Sequence, residues 1–207
     1  VSGCKPSSEV IAAREERINR EVENLFAQIH ELQFDGKITE AIDLTQKSLA
    51  TKRFESHKVR FFGQKIELLL AKENDAEAGD IVITTWRTEP ELARSVFGRL
   101  YSYYQQRNDN KAIKIWCKRL LGLGTSFPND LRLQVVTWQL TASLALKDLA
   151  GAQADIDDIF ALLKPEEAAP LLSRRLADCS IPDNTVSCQL WSTTSTKRIP
   201  RPRSIAT

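Results

Sequence analysis

Four short polar turns, each followed by an alanine near the start of a helix, divide this chain into near-equal lengths. The first reads Asp35-Gly36-Lys37-Ile38-Thr39-Glu40-Ala41, and the second Glu73-Asn74-Asp75-Ala76-Glu77-Ala78. The third reads Asn108-Asp109-Asn110-Lys111-Ala112, and the fourth Lys147-Asp148-Leu149-Ala150-Gly151-Ala152. The alanines stand 37, 34 and 40 residues apart, inside the period range of helical-hairpin arrays. Such arrays bury a continuous core between neighbouring hairpins and build surfaces that hold partners. The expected fold is therefore all-α, with antiparallel hairpins stacked as a short α-solenoid.

Apolar spacing fills in the helices. The first is expected from Ser8 to Phe34, with Ile11, Ile18, Val22, Leu25, Phe26, Ile29 and Leu32 on one stripe. Gly36 should stop it as a C-terminal glycine cap. The second covers Ile38 to Thr51, and the third Glu55 to Lys72 with Val59, Phe62, Ile66, Leu69 and Leu70 inward. The fourth covers Asp75 to Arg87. Thr88-Glu89-Pro90-Glu91 reads as a capping box with proline in the first turn, opening a fifth helix that runs to Arg107. A sixth spans Asn110 to Leu121 and ends at Gly122-Leu123-Gly124. Ser126-Phe127-Pro128 begins a seventh, Ala150 to Leu163 forms an eighth, and Pro165 to Asp178 a ninth. Helical periodicity then ceases. Thr185 to Thr196 is expected to form a short strand or extended arm, and Ile199-Pro200-Arg201-Pro202-Arg203 an extended tail. The expected division is an end and tether at 1–8, a helical-repeat domain at 9–178 and a basic arm at 179–207.

Helix pairs with an alanine early in the second helix resemble tetratricopeptide repeats. Ala41, Ala78, Ala112 and Ala152 take that alanine position. Ile29, Ile66, Leu100 and Leu140 stand where the family has a small residue in the first helix, and this departure implies a looser or differently angled hairpin. The resemblance covers roughly residues 20–165. It implies a concave, partner-binding face built by first helices, including Arg60, Glu67, Arg94, Tyr101 and Tyr104. Phe97 lies on the same stripe as the two tyrosines and is assigned to packing against the next hairpin. Tyr101 and Tyr104 are left open between packing and partner contact.

The chain contains no Met, so it is expected to be a processed or truncated form. Its first residues, Val1-Ser2-Gly3-Cys4, resemble a bacterial lipobox, in which small residues fit the signal peptidase and the cysteine thiol receives the lipid. The resemblance implies a lipid anchor on Cys4, with Lys5-Pro6-Ser7-Ser8 as a tether. Lys5 stands where an inner-membrane retention signal would place Asp, which implies the periplasmic face of the outer membrane. Cys179 and Cys188 flank a turn-rich segment, and a disulfide between them suits an oxidising periplasm. Cys117, in a helical pattern beside Trp116, is expected to be a buried free thiol.

The charge balance is uneven. Of 29 Lys and Arg, four (Lys197, Arg198, Arg201 and Arg203) follow the last acid, Asp183. The preceding chain then has 25 bases against 27 acids, which argues against nucleic-acid binding by the body. The four basic residues of the tail suit anionic lipid headgroups, an acidic partner or nucleic acid, and a solvated or partner-draped terminus is the preferred reading. No apolar run approaches the roughly 20 residues of a membrane span.

Chemical signatures are lacking. Gly122-Leu123-Gly124-Thr125-Ser126 has neither the lysine nor the preceding strand of a phosphate loop. No zinc spacing links the cysteines with His30 or His57, and Asp155, Asp157 and Asp158 do not follow calcium-loop spacing. The expectation is a non-enzymatic scaffold or assembly factor of a bacterial envelope machine, such as a pilus, secretion system or outer-membrane assembly system. Its partners would be other envelope proteins, with no cofactor, metal or small-molecule substrate. A soluble adaptor or chaperone without an anchor is the alternative. A helical-repeat subunit acting on cell-wall glycan is a third reading, and no acid pair stands out for it.

Overall fold

The computed structural model describes residues 8–178, and every regular element among them is helical. In order they are α1 (Ser8–Phe34), α2 (Ile38–Leu49), α3 (Lys58–Ala71), α4 (Asp75–Thr88), α5 (Pro90–Arg94), α6 (Phe97–Gln106), α7 (Asn110–Leu121), α8 (Asn129–Ala145), α9 (Leu149–Leu162) and α10 (Pro165–Asp178). The described residues form two compact units, divided between Tyr103 and Tyr104. Cys4, Cys179, Cys188, Lys197, Arg198, Arg201 and Arg203 lie outside the described residues, as do Lys5, Pro6 and Ser7 of the tether and the whole C-terminal arm; Ser8, expected in the tether, is the first residue of α1.

A single turn conformation recurs at each of the four polar turns. Gly36, Glu73, Asn108 and Lys147 hold positive φ of 75°, 59°, 53° and 56°. At each, that residue's amide donates to the carbonyl three residues back, at 3.1 Å for Gly36 to Gln33 and 3.0 Å for Lys147 to Leu144. The next amide donates five residues back, at 2.8 Å for Lys37 to Leu32 and 2.9 Å for Asp148 to Ser143. Glu73 and Asn74 repeat the pair on Leu70 and Leu69, and Asn108 and Asp109 on Gln105 and Tyr104. This Schellman closure satisfies the carbonyls that the end of a helix leaves without partners. The residue after the left-handed one begins the next helix. Asp109 and Asp148 do so with their side chains, accepting from the amides of Ala112 and Gly151 at 2.9 Å each. The repeat visible in the sequence is therefore a repeat of backbone geometry.

Three of the four left-handed positions carry a side chain, where an L-residue is disfavoured by about 1–2 kcal/mol. Lys147 is exposed. Lys147→Gly is expected to raise stability by about 1 kcal/mol, because glycine enters this region without a Cβ clash. A urea midpoint that stays put or falls in that variant would show the turn to be unstrained.

The alanines admit bulk from the opposite helix. Ala41, Ala78 and Ala152 are fully buried, and so are Ile29, Ile66 and Leu140 twelve residues before each. Ile29 shares a core with Ala41, Val22, Phe26, Phe54, Phe61 and Leu68. Leu140 shares another with Ala152, Val136, Leu144, Ile156 and Ile159. Volume absent from the second helix is supplied by the first. Ala112 departs from the pattern and is only half-buried.

Several sequence expectations change. The expected fifth helix is two, α5 and α6, with a break at Ser95-Val96. The Ser95 hydroxyl donates to the Leu92 carbonyl at 2.7 Å. Val96 bonds back to Ala93 and Arg99 to Val96, both over three residues, so the chain tightens and α6 starts afresh. No capping box forms, because Thr88 is the last residue of α4 and Glu89 begins α5 with no side-chain cap bond. Glu89 precedes Pro90 and takes φ −140° and ψ 72°, as a pre-proline residue is pushed out of the α region. The second helix ends at Leu49, and a 3₁₀ segment, Lys52–His57, turns the chain and buries Phe54 before α3 begins. Val59 and Ile11, expected inward, are exposed.

A candidate binding groove on the first unit

The surface of α1 and α3 follows the same period as the turns. Glu23, Ala27 and His30 on α1 are each 37 residues before Arg60, Gln64 and Glu67 on α3, as Ala41 is before Ala78. These residues, with Phe26 below and Arg99 of α6 at one end, line a groove of about 500 Å³. Equivalent faces of successive first helices thus meet along one side of the unit.

Ion pairs between the helices cross this face. Arg60 Nη1 lies 2.7 Å from Glu23 Oε1, and Arg99 pairs with Glu67. The Arg60 guanidinium sits over the Phe26 ring at 4.5 Å, and that ring stacks on Phe61 with centroids 4.8 Å apart and planes 9° apart. Arg60 is therefore held by an aromatic face as well as by a carboxylate. Its hydrogen bond holds the Glu23 carboxyl below its ordinary range. Burial pulls the Arg99 guanidinium below its usual value. Arg99 Nη1 reaches the Gly63 carbonyl at 3.5 Å, and a Cβ added at Gly63 would come within 2.8 Å of its Nη2. Glycine at 63 is what lets the guanidinium lie against α3.

The sequence-derived face is divided by the structure. Arg60 and Glu67 line the groove, and Arg94, Tyr101 and Tyr104 do not. Arg94 is exposed on α5 and Tyr101 is half-buried on α6. Tyr104 is 8% exposed, which leaves its ring little surface to offer. Phe97 packs edge-on against Trp86, centroids 5.6 Å apart, so this ring contact is with α4 of the preceding hairpin, where the next hairpin was expected. Glu23, His30, Gln64 and Arg99 were missed. Sliding the sequence by 37 residues would have found the first three.

No protein-family model, curated protein or solved structure matches this chain.

The groove is therefore judged on its chemistry alone. It presents two positioned guanidinium groups, two carboxylates, an imidazole and a primary amide. It can form hydrogen bonds and ion pairs with a polar, extended ligand. Among the described residues no group of three or more His, Cys, Asp and Glu is placed to hold a metal ion, and no helix is long and apolar enough to cross a membrane. Cys117 on α7 is buried and unbonded, and burial pushes its thiol up to about 12. It remains protonated, and so unreactive, at physiological pH.

Proposed function

We propose that this chain is a non-enzymatic protein-binding module whose hairpins stack in the manner of tetratricopeptide repeats and whose α1–α3 groove holds a segment of a partner. The observation that carries the reading is the register of that groove. Its lining residues recur at the period of the buried alanines, so one repeat unit generates both the core and the face. Arginines supply much of the energy at protein interfaces, and Arg60, held in place by the buried Phe26 ring beneath it, offers its guanidinium. The wider setting belongs to the same proposal: a lipid on Cys4, the periplasmic face of the outer membrane, and a role in assembling an envelope machine.

A photo-crosslinking residue in place of Gln64 tests the groove, and in place of Lys47, exposed on α2 and away from the groove, serves as the control. In envelopes of a bacterial host that expresses the full gene, a discrete adduct from position 64 and none from 47 is expected. Adducts of equal yield from both positions would remove the groove's claim. Mass spectrometry of the same material tests the anchor. An acylated Cys4 supports it, and a free thiol on a cytosolic protein leaves the soluble adaptor.

A further inference from the structure

The solvent faces of α7 and α9, both in the second unit, are opposites in charge. Helix α7 (NKAIKIWCKRLL) carries four basic residues and no acid. Helix α9 (LAGAQADIDDIFAL) carries three aspartates and no base. On α7, Lys111, Ile115 and Lys118 are all exposed at spacing i, i+4, i+7, opposite the buried Ile113, Trp116, Cys117 and Leu120. On α9, Asp157, Asp158 and Leu162 are exposed on the side away from the buried Ala152, Asp155, Ile156 and Ile159. Among the described residues of this unit, Ile115 (63% exposed) and Leu162 (39%) are the exposed large apolar side chains. Each sits among charges of one sign, and the two signs are opposite.

The two faces lie side by side. Helices α7 and α9 both pack on α8, and Lys114 of α7 pairs with Asp148, which caps the start of α9. Lys111, Lys118 and Asp158 make no hydrogen bond or ion pair among the described residues. These charges are left for something outside the unit.

We propose that the second unit binds a second copy of this chain, with the lysine face of α7 against the aspartate face of α9. Under a twofold axis the contact is made twice, since each copy brings one face of each kind. Charge complementarity sets the register, and Ile115 and Leu162 supply the apolar contact that excludes water around it. The inference needs neither the groove nor the lipid anchor.

Sedimentation velocity of the full chain over a concentration series, at low and high salt, tests it. A dimer that weakens as salt rises is expected. Lys111→Glu with Lys118→Glu should weaken association by about ten-fold or more, as should Asp157→Lys with Asp158→Lys. An equimolar mixture of the two variants should associate again, since each then meets its opposite. Ile115→Ser, which leaves every charge in place, should also weaken the dimer. Circular dichroism confirms that each variant is folded. A wild-type chain that stays monomeric throughout overturns the proposal. So do folded variants that associate as well as wild type, or a mixture that fails to associate.

Discussion

Phe61→Ala is expected to destabilise the first unit by about 3–5 kcal/mol, the usual cost of emptying a buried aromatic site. Phe61 is completely buried. It stacks on Phe26 and meets Phe54 at 5.9 Å and 40°. It thereby joins α1, α3 and the 3₁₀ segment that precedes α3. Loss of the ring leaves a cavity that no single neighbour can fill, since its contacts come from three directions. Domains of this size are stable by about 5–15 kcal/mol in all, so the variant should be partly unfolded at physiological temperature. Urea denaturation followed by far-UV circular dichroism reads the effect. A midpoint shift equivalent to under about 1 kcal/mol would mean that the three-way aromatic contact is not the centre of this core. Arg60→Ala makes a useful contrast. It removes the cation from the Phe26 face and the partner from Glu23, yet the Arg60 and Glu23 side chains are both largely in solvent, so the cost should be far smaller than for Phe61. A large loss for Phe61 beside a small one for Arg60 would separate what holds the unit together from what lines its groove.

Phe61 also shows where sequence reading reached its limit. The apolar spacing predicts an amphipathic third helix with Val59, Phe62, Ile66, Leu69 and Leu70 inward. In the structure α3 packs on α2 on one side and on α4 and α5 on the other. It buries Phe61 and Leu68 as well as Phe62, Ile66 and Leu69. A helix covered on two sides has no single apolar stripe, and its period gives no warning of the second face. Helix α8, between α7 and α9, behaves alike, burying Val136, Thr137 and Ser143 in addition to Leu131, Val135 and Leu140. Helix α1 shows the reverse. Its stripe runs to Ile11, but that residue is exposed because periodicity marks a face without saying whether anything covers it. The turns were legible because their chemistry is local: polar residues, a left-handed position and an alanine soon after. The ion pairs Glu23–Arg60 and Glu67–Arg99 join residues 37 and 32 apart, and only a three-dimensional fold brings such groups together.

In the second unit, Asp155 should make stability rise as the solution is acidified from neutral, against the usual trend for carboxylates. Its side chain is 1% exposed. It accepts hydrogen bonds from Gln139 Nε2 at 2.6 Å and Ser143 Oγ at 2.7 Å. Burial pushes its carboxyl above the ordinary value. The bonds from Ser143 and Gln139 and the charge of Lys114 on α7 pull the other way, and Asp158 adds to the push. Burial is the largest of these, so the folded chain holds a proton on Asp155 more tightly than the unfolded chain does. Where the folded state binds more protons, stability falls as pH rises. The contribution is therefore fully present below the unfolded value of roughly 3.9 and is lost as pH climbs through the raised folded value. Cys117 stays protonated across this window, with its thiol pushed up to about 12. Other carboxylates, Asp148 and Glu23 among them, are shifted downward and lose stability in acid, so the whole-protein curve mixes both signs. Asp155→Asn isolates the one group. It keeps the shape and an acceptor while removing the charge, and the difference in melting temperature between wild type and variant should move in favour of wild type as pH is lowered. A difference that is flat with pH, or moves the other way, would show that the two hydrogen bonds and Lys114 outweigh burial. Asp155→Ala serves as the companion, since it leaves the buried Ser143 hydroxyl and the Gln139 amide without their acceptor. At about 1–3 kcal/mol for each donor so stranded, it should destabilise the α8–α9 hairpin well beyond Asp155→Asn at every pH.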